Sequence, residues 1–191
     1  MDEKETLRGY LQTGREVMLW KLGGLGEYDV RRPLVPTGTN LLGLVKHLAL
    51  VETGYLGSTF GRPFPDAPAW MEQVWSEPVT DLFATADESR AEVVDLYRRA
   101  WAHSDATVAA LGLDAEGTVP HWPAERATVT LHRVLVHLVA ETHRHAGHAD
   151  VLRETLDGAV GHRMENDNLA PGARSAELYQ RAEAAARAHR G

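Results

Sequence analysis

The sequence predicts an all-α protein built as an antiparallel four-helix bundle, with a long connection between the second and third helices and an extra C-terminal helix. Four long segments carry apolar residues at helical spacing, whereas alternating β-branched runs are nearly absent. The segment 115–128 is too short and polar to be expected to supply a sheet. With 191 residues and 43% hydrophobic content, the chain is expected to form one domain over 1–191.

The first two predicted helices each have one face suited to a core. The first spans about 3–24 and ends at Gly23 and Gly24. Its apolar face carries Leu7, Leu11, Met18 and Leu22. The second spans about 40–57, begins behind a threonine that can cap it, and ends near Gly57. Its apolar face carries Leu44, Leu48, Val51 and Tyr55. Both faces are expected to pack against neighbouring helices.

The connection over about 58–84 is long for a bundle and is expected to cross it. It is rich in prolines and large aromatic residues, among them Pro63, Pro65, Pro68, Pro78, Phe64, Trp70 and Trp75. Two interpretations of the aromatic residues stay open. They form either a hydrophobic cover over one end of the bundle or a wall of the substrate pocket.

The third predicted helix begins at Thr85–Glu88, which has the spacing of a capping box, and extends to about 111. Its apolar face carries Val94, Tyr97, Trp101 and Val108. The fourth spans about 129–157, behind a threonine at 128 or 130, and stops at Gly158. A fifth helix over 175–190 is rich in alanine, glutamate and arginine, and we expect it to dock loosely or to lie at an interface.

Composition excludes several classes of function. The net charge is -7 at pH 7 and the basic runs are no longer than pairs, so nucleic acid is not an expected partner. The polar, acidic N-terminus and the lack of an apolar run of about 18 residues predict a cytoplasmic protein with no membrane partner. Because the chain has no cysteine, any thiol chemistry must use a separate thiol.

Metal-binding residue types lie on the predicted inner face of the fourth helix. Positions 134, 138, 141, 145, 148 and 152 recur at steps of three and four, and three of them are Glu141, His145 and His148. The second helix places His47 on its apolar face. A carboxylate buried there without a partner would lose its charge or be costly, and a shared cation removes this difficulty. Two such faces predict a site for one divalent metal.

The spacing of these residues indicates how they could bind. Glu141 and His145 form an i, i+4 pair, about 5–6 Å apart at Cβ, which one ion can bridge. With His47 they give two imidazoles and a carboxylate, which favours zinc, or nickel, iron or manganese, and leaves a coordination position open. His148 either replaces Glu141 or supports the other ligands from outside.

The other histidines are expected to lie outside the site. His121 is expected to pack on Trp122 in a turn rather than to face a pocket. The rest are expected to be solvated or to flank the fourth helix: His103, His162 and His189 in the first group, and His132, His137 and His143 in the second.

Two segments resemble the DinB-like superfamily of thiol-dependent helical metalloproteins, and within it a branch known only as a domain of unknown function. They are Thr39–Leu48 and His145–Glu154, with Asn166–Leu169 beyond them. The resemblance covers most of the chain and implies helices around one divalent metal. Some members use three histidines. In the branch of mycothiol-dependent maleylpyruvate isomerase the ligands are His, Glu and His, which fall here on His47, Glu141 and His145.

The resemblance implies transfer or isomerisation through a small thiol whose sulfur binds the metal. A free thiol is only about 3% ionised at pH 7, and metal binding could raise that fraction on the order of 30-fold. Abundant arginine and alanine indicate a GC-rich, actinobacterial genome, for which mycothiol is the expected thiol.

The expected function is a divalent-metal-dependent thiol transferase whose partners are mycothiol and a small electrophile, and a homodimer stays open. The alternatives are a metal-stabilised, stress-related binding protein and a metal-water hydrolase. An open metal position facing a pocket would favour the transferase. A closed site with four protein ligands, His148 among them, would favour a structural metal.

Overall fold

The described part of the chain is mostly helical. A computed structural model describes residues 2–163, 170 and 176–190, so Asn166–Leu169 lies outside the described residues. The long helices are α1 (Glu3–Trp20), α3 (Leu41–Leu56), α5 (Arg90–Ala110) and α7 (Leu131–Asp157). The shorter ones are α2 (Glu27–Arg31), α4 (Trp70–Gln73), α6 (Ala124–Ala127) and α8 (Ala176–Arg187), and Ser58–Phe60 forms a 3₁₀ turn. All five predicted helices are present.

Side-chain caps set the ends of α3 and α7. Asn40 Oδ1 accepts the Gly43 N–H at 2.8 Å, so Asn40 caps α3 instead of the expected threonine. Thr130 caps α7, which selects one of the two threonines left open by the sequence. Gly158 ends α7 in the left-handed conformation with φ 75°, which glycine adopts without strain.

The start of α5 differs from the prediction. Ser89 and Glu92 form the complete capping box, and α5 begins directly after Ser89. Of the predicted box, only the bond from the Thr85 N–H to Glu88 is formed, at 2.8 Å. Glu88 also accepts a bond from Lys46 of α3, so it belongs to a contact between elements that local spacing does not reveal.

A small sheet joins α5 to α7, so the expectation that 115–128 supplies no sheet is wrong. β1 (Glu116–Thr118) pairs antiparallel with β2 (Thr128–Thr130), and Gly117 lies opposite Val129. Val129 is buried, and Gly117 packs so closely on the 3₁₀ turn that a Cβ would overlap the ring of Phe60. Three-residue strands are too short for an alternating pattern to appear in the sequence.

Contacting pairs give the relative directions of the long helices. α1 runs parallel with α7, and α3 runs antiparallel to α7 and parallel with α5. The pairs are Glu3 with His132, Lys21 with Asp150, His47 with His145, Tyr55 with His137, Lys46 with Glu88, and Gly57 with His103. Because α3 and α5 run the same way, the connection 58–84 has to bring the chain back to the end where α3 began.

A buried ion pair joins α1 to α3 within the core. The guanidinium of Arg15 donates to both carboxylate oxygens of Glu52 and, at 2.9 Å, to Asp105. Arg15 and Glu52 are buried. Burial raises the pKa of Glu52 above its ordinary value, although the charge and hydrogen bonds of Arg15 act in the opposite direction. Removing either Arg15 or Glu52 would therefore leave the charge of the other one buried without its partner.

α8 buries none of its side chains, and both expected roles of this helix, loose docking and an interface, stay open. Among the described residues, no helix combines the length and the apolar character needed to cross a bilayer.

Candidate metal site

His47 of α3 and Glu141 and His145 of α7 form a cluster whose potential ligand atoms all lie within 4.8 Å of one another. Glu141 Oε1 lies 3.0 Å from His145 Nε2 and 3.8 Å from His47 Nε2. The two imidazole rings meet edge to face, with centroids 4.9 Å apart. The fold therefore brings together three of the four residues that the sequence singles out.

The cluster stands at the edge of the core and not on the core stripe as expected. α7 buries Leu138, Thr142, Ala146 and Ala149, whereas the side chains of Glu141 and His145 retain 28% and 15% exposure. Glu141 and His145 thus lie beside the row of buried residues on α7 and not within it. Because it borders solvent-accessible space, the carboxylate of Glu141 needs less compensation than a fully buried charge.

Asp81 fixes the orientation of His47. Its Oδ2 lies 2.6 Å from His47 Nδ1, and its side chain is only 8% exposed. Burial alone would raise the pKa of Asp81, but the hydrogen bond and charge of His47 outweigh it and lower the pKa below its ordinary value. An ionised Asp81 accepts the Nδ1–H, which leaves the Nε2 lone pair of His47 directed towards Glu141.

The first half of α3 holds Asp81 in place through the backbone that follows it. Asn40 Nδ2 donates to the Leu82 carbonyl at 3.2 Å, and Lys46 Nζ donates to the Phe83 carbonyl at 3.1 Å. A Cβ at Gly43 would overlap the Leu82 carbonyl, so glycine is required for this approach. Local patterns in the sequence do not single out Asp81. The available signal is the pair of polar residues Asn40 and Lys46 near His47, at the start of α3 and in its mainly apolar first half.

The protonation states of the cluster suit a divalent cation. Burial would raise the pKa of Glu141, but the hydrogen bond and charge of His145, together with the charge of His47, lower it below its ordinary value. Burial lowers the pKa of His145, and His47 adds to this effect against the opposing influence of Glu141. At neutral pH the carboxyl is ionised and the imidazole of His145 is neutral, which are the forms that bind metals. Two imidazoles and one carboxylate fit zinc.

His148 lies outside the cluster. Its Nδ1 is 3.4 Å from His145 Nδ1, the ring nitrogen that does not face Glu141, and the residue is exposed. Of the two roles left open by the sequence, this position corresponds to support from outside.

A cavity of about 720 Å³ opens beside His47 and Glu141. Its walls are mainly apolar and come from α3, from the connection 58–84 and from the turn before α6. Phe64 and Trp75 line it, so this part of the connection forms a wall of the cavity. Trp70 packs on the core, and Lys46 Nζ lies 4.4 Å from the centroid of the Trp70 ring. This other part of the connection therefore acts as a cover.

Two histidines expected elsewhere also line this cavity. His121 contacts Tyr55 and the ring of Trp75 instead of packing on Trp122 as expected. His137 packs edge to face on Tyr55, with ring centroids 4.7 Å apart. The signal for His137 was its position one turn before Glu141, which extends the row 137, 141, 145 along α7.

The remaining histidines lie away from the cluster. His103 is half-buried against Phe64, so the expectation that it is solvated is wrong. The others lie as expected: His132 and His143 face α1, and His162 and His189 are exposed.

Fold and site together define a class: a mostly helical protein with a His, Glu, His cluster beside an apolar cavity. A family model described as mycothiol-S-transferase matches residues 6–158, and the chain belongs to this DinB-like family. The matched range contains the whole cluster, Asp81 and His148. No curated protein matches the chain. Membership supports a transferase that uses a small thiol related to mycothiol.

Proposed function

We propose that the protein is a divalent-metal-dependent mycothiol S-transferase that joins the sulfur of mycothiol to a small electrophile. The observation that carries this proposal is the position of His47 and Glu141, which belong to the metal-suited cluster and also line the 720 Å³ cavity. His148 lies beyond His145 and leaves the cavity side of the cluster open. A coordination position that faces a pocket supports catalysis over a structural metal.

His47, Glu141 and His145 would hold the ion, with zinc as the preferred metal, and His148 and Asp81 would orient the two imidazoles. A bound ion supplies positive charge that lowers the pKa of a coordinated thiol. In the overall reaction the thiol loses its proton, a carbon–sulfur bond forms, and the leaving group departs with the electron pair of the broken bond. The apolar wall would exclude water from the reacting carbon.

We also propose that α1, α3, α5 and α7 form a four-helix bundle within a single domain. The packing of α3 against α5 and α7, and of α1 against α7, supports this arrangement. In such a bundle the cluster would lie between two of the core helices, where cofactor and metal sites of helical bundles are commonly built.

Conjugate formation is expected to need both zinc and mycothiol. The zinc-loaded protein, shown by native mass spectrometry to hold one ion per chain, is mixed with mycothiol and 1-chloro-2,4-dinitrobenzene, and the conjugate is followed by absorbance. Removing zinc with a chelator should abolish turnover, because the ion activates the thiol. Omitting the thiol should do the same, because the chain has no cysteine to replace it. Ion binding should also stabilise the fold, by about 2.7 kcal/mol at 100 times Kd.

Three outcomes would contradict the proposal in different ways. A mass equal to that of the bare chain after zinc addition would exclude the proposed metal site. Turnover of an ester without any thiol would indicate a metal-water hydrolase. Bound zinc without conjugation by mycothiol, bacillithiol or glutathione would indicate the binding protein.

Asp81→Asn is expected to weaken zinc binding by about 10 to 100-fold, because the amide keeps the size of the side chain but is an uncharged and weaker acceptor for the Nδ1–H of His47. His148→Ala should have an effect within the same range. The measurement is competition with a chromogenic chelator at fixed pH. Asp87→Asn, the same change at an exposed position six residues further along the chain, is the matched control. Equal affinities for Asp81→Asn and Asp87→Asn would exclude a supporting role for Asp81.

A further inference from the structure

The charges around the cavity indicate which electrophiles it accepts. Among the described residues that line it, the acidic ones are Glu72 and Glu141, and none is a lysine or arginine. Burial lowers the pKa of the lining His121, with His137 adding to this effect, so His121 is neutral at neutral pH. An anionic substrate would therefore find no permanent cation on this wall, and an unpaired charge moved there from water is costly.

The two carboxylates at the cluster strengthen this conclusion. Glu141 and Asp81 each lie within 3.0 Å of a ring nitrogen of a histidine in the cluster. A substrate carboxylate that approached the cluster would therefore meet acidic side chains. A neutral electrophile avoids this repulsion and gains from the apolar wall.

Tyr55 supplies a directed polar contact on the same wall. Its hydroxyl accepts the Trp122 Nε1–H at 3.1 Å and lies 3.4 Å from His121 Nε2. Because the tryptophan contact uses the oxygen as acceptor, the hydroxyl remains a donor, and its hydrogen can turn from His121 Nε2 to an acceptor on a ligand in the cavity. Tyr55 lies two turns along α3 from His47, and so faces the part of a ligand that is remote from the cluster.

We infer that the electrophile is a neutral, mainly apolar molecule, and that Tyr55 donates a hydrogen bond to an acceptor on the side of this molecule away from the reacting carbon. This inference rests on the proposed function and names the substrate class of the same site. Tyr55 is a specificity-determining residue in this scheme.

A matched pair of probes tests the charge. Methyl 4-chloro-3,5-dinitrobenzoate and its free acid share the reacting carbon and differ only in the group opposite the chlorine. With zinc-loaded protein and mycothiol, kcat/KM divided by the uncatalysed rate is expected to be on the order of 100-fold higher for the ester. Glu72→Lys should raise the normalised kcat/KM of the acid relative to that of the ester by about tenfold, whereas Glu72→Gln should raise this ratio less. Equal normalised rates for ester and acid would overturn the inference.

A third probe tests Tyr55. The compound 2-chloro-1,3-dinitrobenzene is the same molecule without the ester. Tyr55→Phe should lower kcat/KM about tenfold more for the ester than for this parent, chiefly through KM, because one hydrogen bond is lost. Equal losses of kcat/KM for the two compounds would show that Tyr55 does not donate to the ester group, and would overturn its role in specificity.

A binding measurement separates this inference from the proposed function. Quenching of tryptophan fluorescence by ester and acid, in wild-type protein and in Trp75→Phe, reports occupancy of the cavity without turnover. If no probe is conjugated although zinc is bound, the proposed function fails. Preferential binding of the ester would then still support the inference, and equal or stronger binding of the acid would overturn it.

Discussion

Replacing His145 with alanine is expected to weaken zinc binding by more than about 100-fold and to abolish thiol transfer. The loss should exceed that of a supporting residue, because His145 contributes one of the three potential ligand atoms of the cluster. His47→Ala should give the same result. His143→Ala is the matched control, since His143 lies on the same helix but contacts the carbonyl oxygen of Tyr10.

Zinc affinity by chelator competition and conjugation rate should be measured on the same preparations, with circular dichroism to confirm folding. The assignment of ligands depends on how the variants rank. If His148→Ala matched the loss of His145→Ala while Glu141→Ala bound zinc normally, His148 would replace Glu141 as a ligand.

Arg15→Met should lower the free energy of unfolding by about 3–5 kcal/mol, because it leaves Glu52 charged and buried without a partner. Arg15→Met combined with Glu52→Met should recover most of this loss, since the unpaired charge is then removed. Arg8→Met is the control, because Arg8 is exposed and pairs with the exposed Glu5. Urea unfolding at pH 7 measures all three.

The loss in Arg15→Met should also depend on pH. Burial already raises the folded-state pKa of Glu52, and removing the opposing charge of Arg15 should raise it further. A carboxyl whose pKa is higher in the folded than in the unfolded state destabilises the fold as pH rises through these two values. The penalty should therefore be smaller at pH 5 than at pH 7. A pH-independent loss below about 1 kcal/mol would contradict this account.

The helices could be predicted because their signals are local. Apolar residues at steps of three and four mark each long helix, and Gly158 marks the end of α7. The start of α5 was misplaced because two pairs, Thr85 with Glu88 and Ser89 with Glu92, have the same capping-box spacing. The pattern alone does not show that Glu88 is bound by Lys46 and that Ser89 and Glu92 form the cap. The two short strands escape detection because their pairing, not their pattern, defines them.

The same distinction applies to the site. The i, i+4 step predicts that Glu141 and His145 share one side of a helix, and His47 stands out on an apolar face. Asp81 is 34 residues away from His47 in the chain, and no local pattern around Asp81 predicts the contact. His121 could not be placed from sequence either, because its surroundings, Tyr55 and Trp75, come from other segments.

The way α3 holds the connection has a consequence for the diversity of this family. Asn40 and Lys46 bind carbonyl groups, and Gly43 leaves room for the backbone, so α3 recognises the main chain at positions 82 and 83 and not their side chains. Phe64 and Trp75, which line the cavity earlier in the connection, are not among the residues that bind these two carbonyl groups. Under the proposed function, substitutions at these two positions are expected to change which electrophiles fit while Asp81 stays in register with His47.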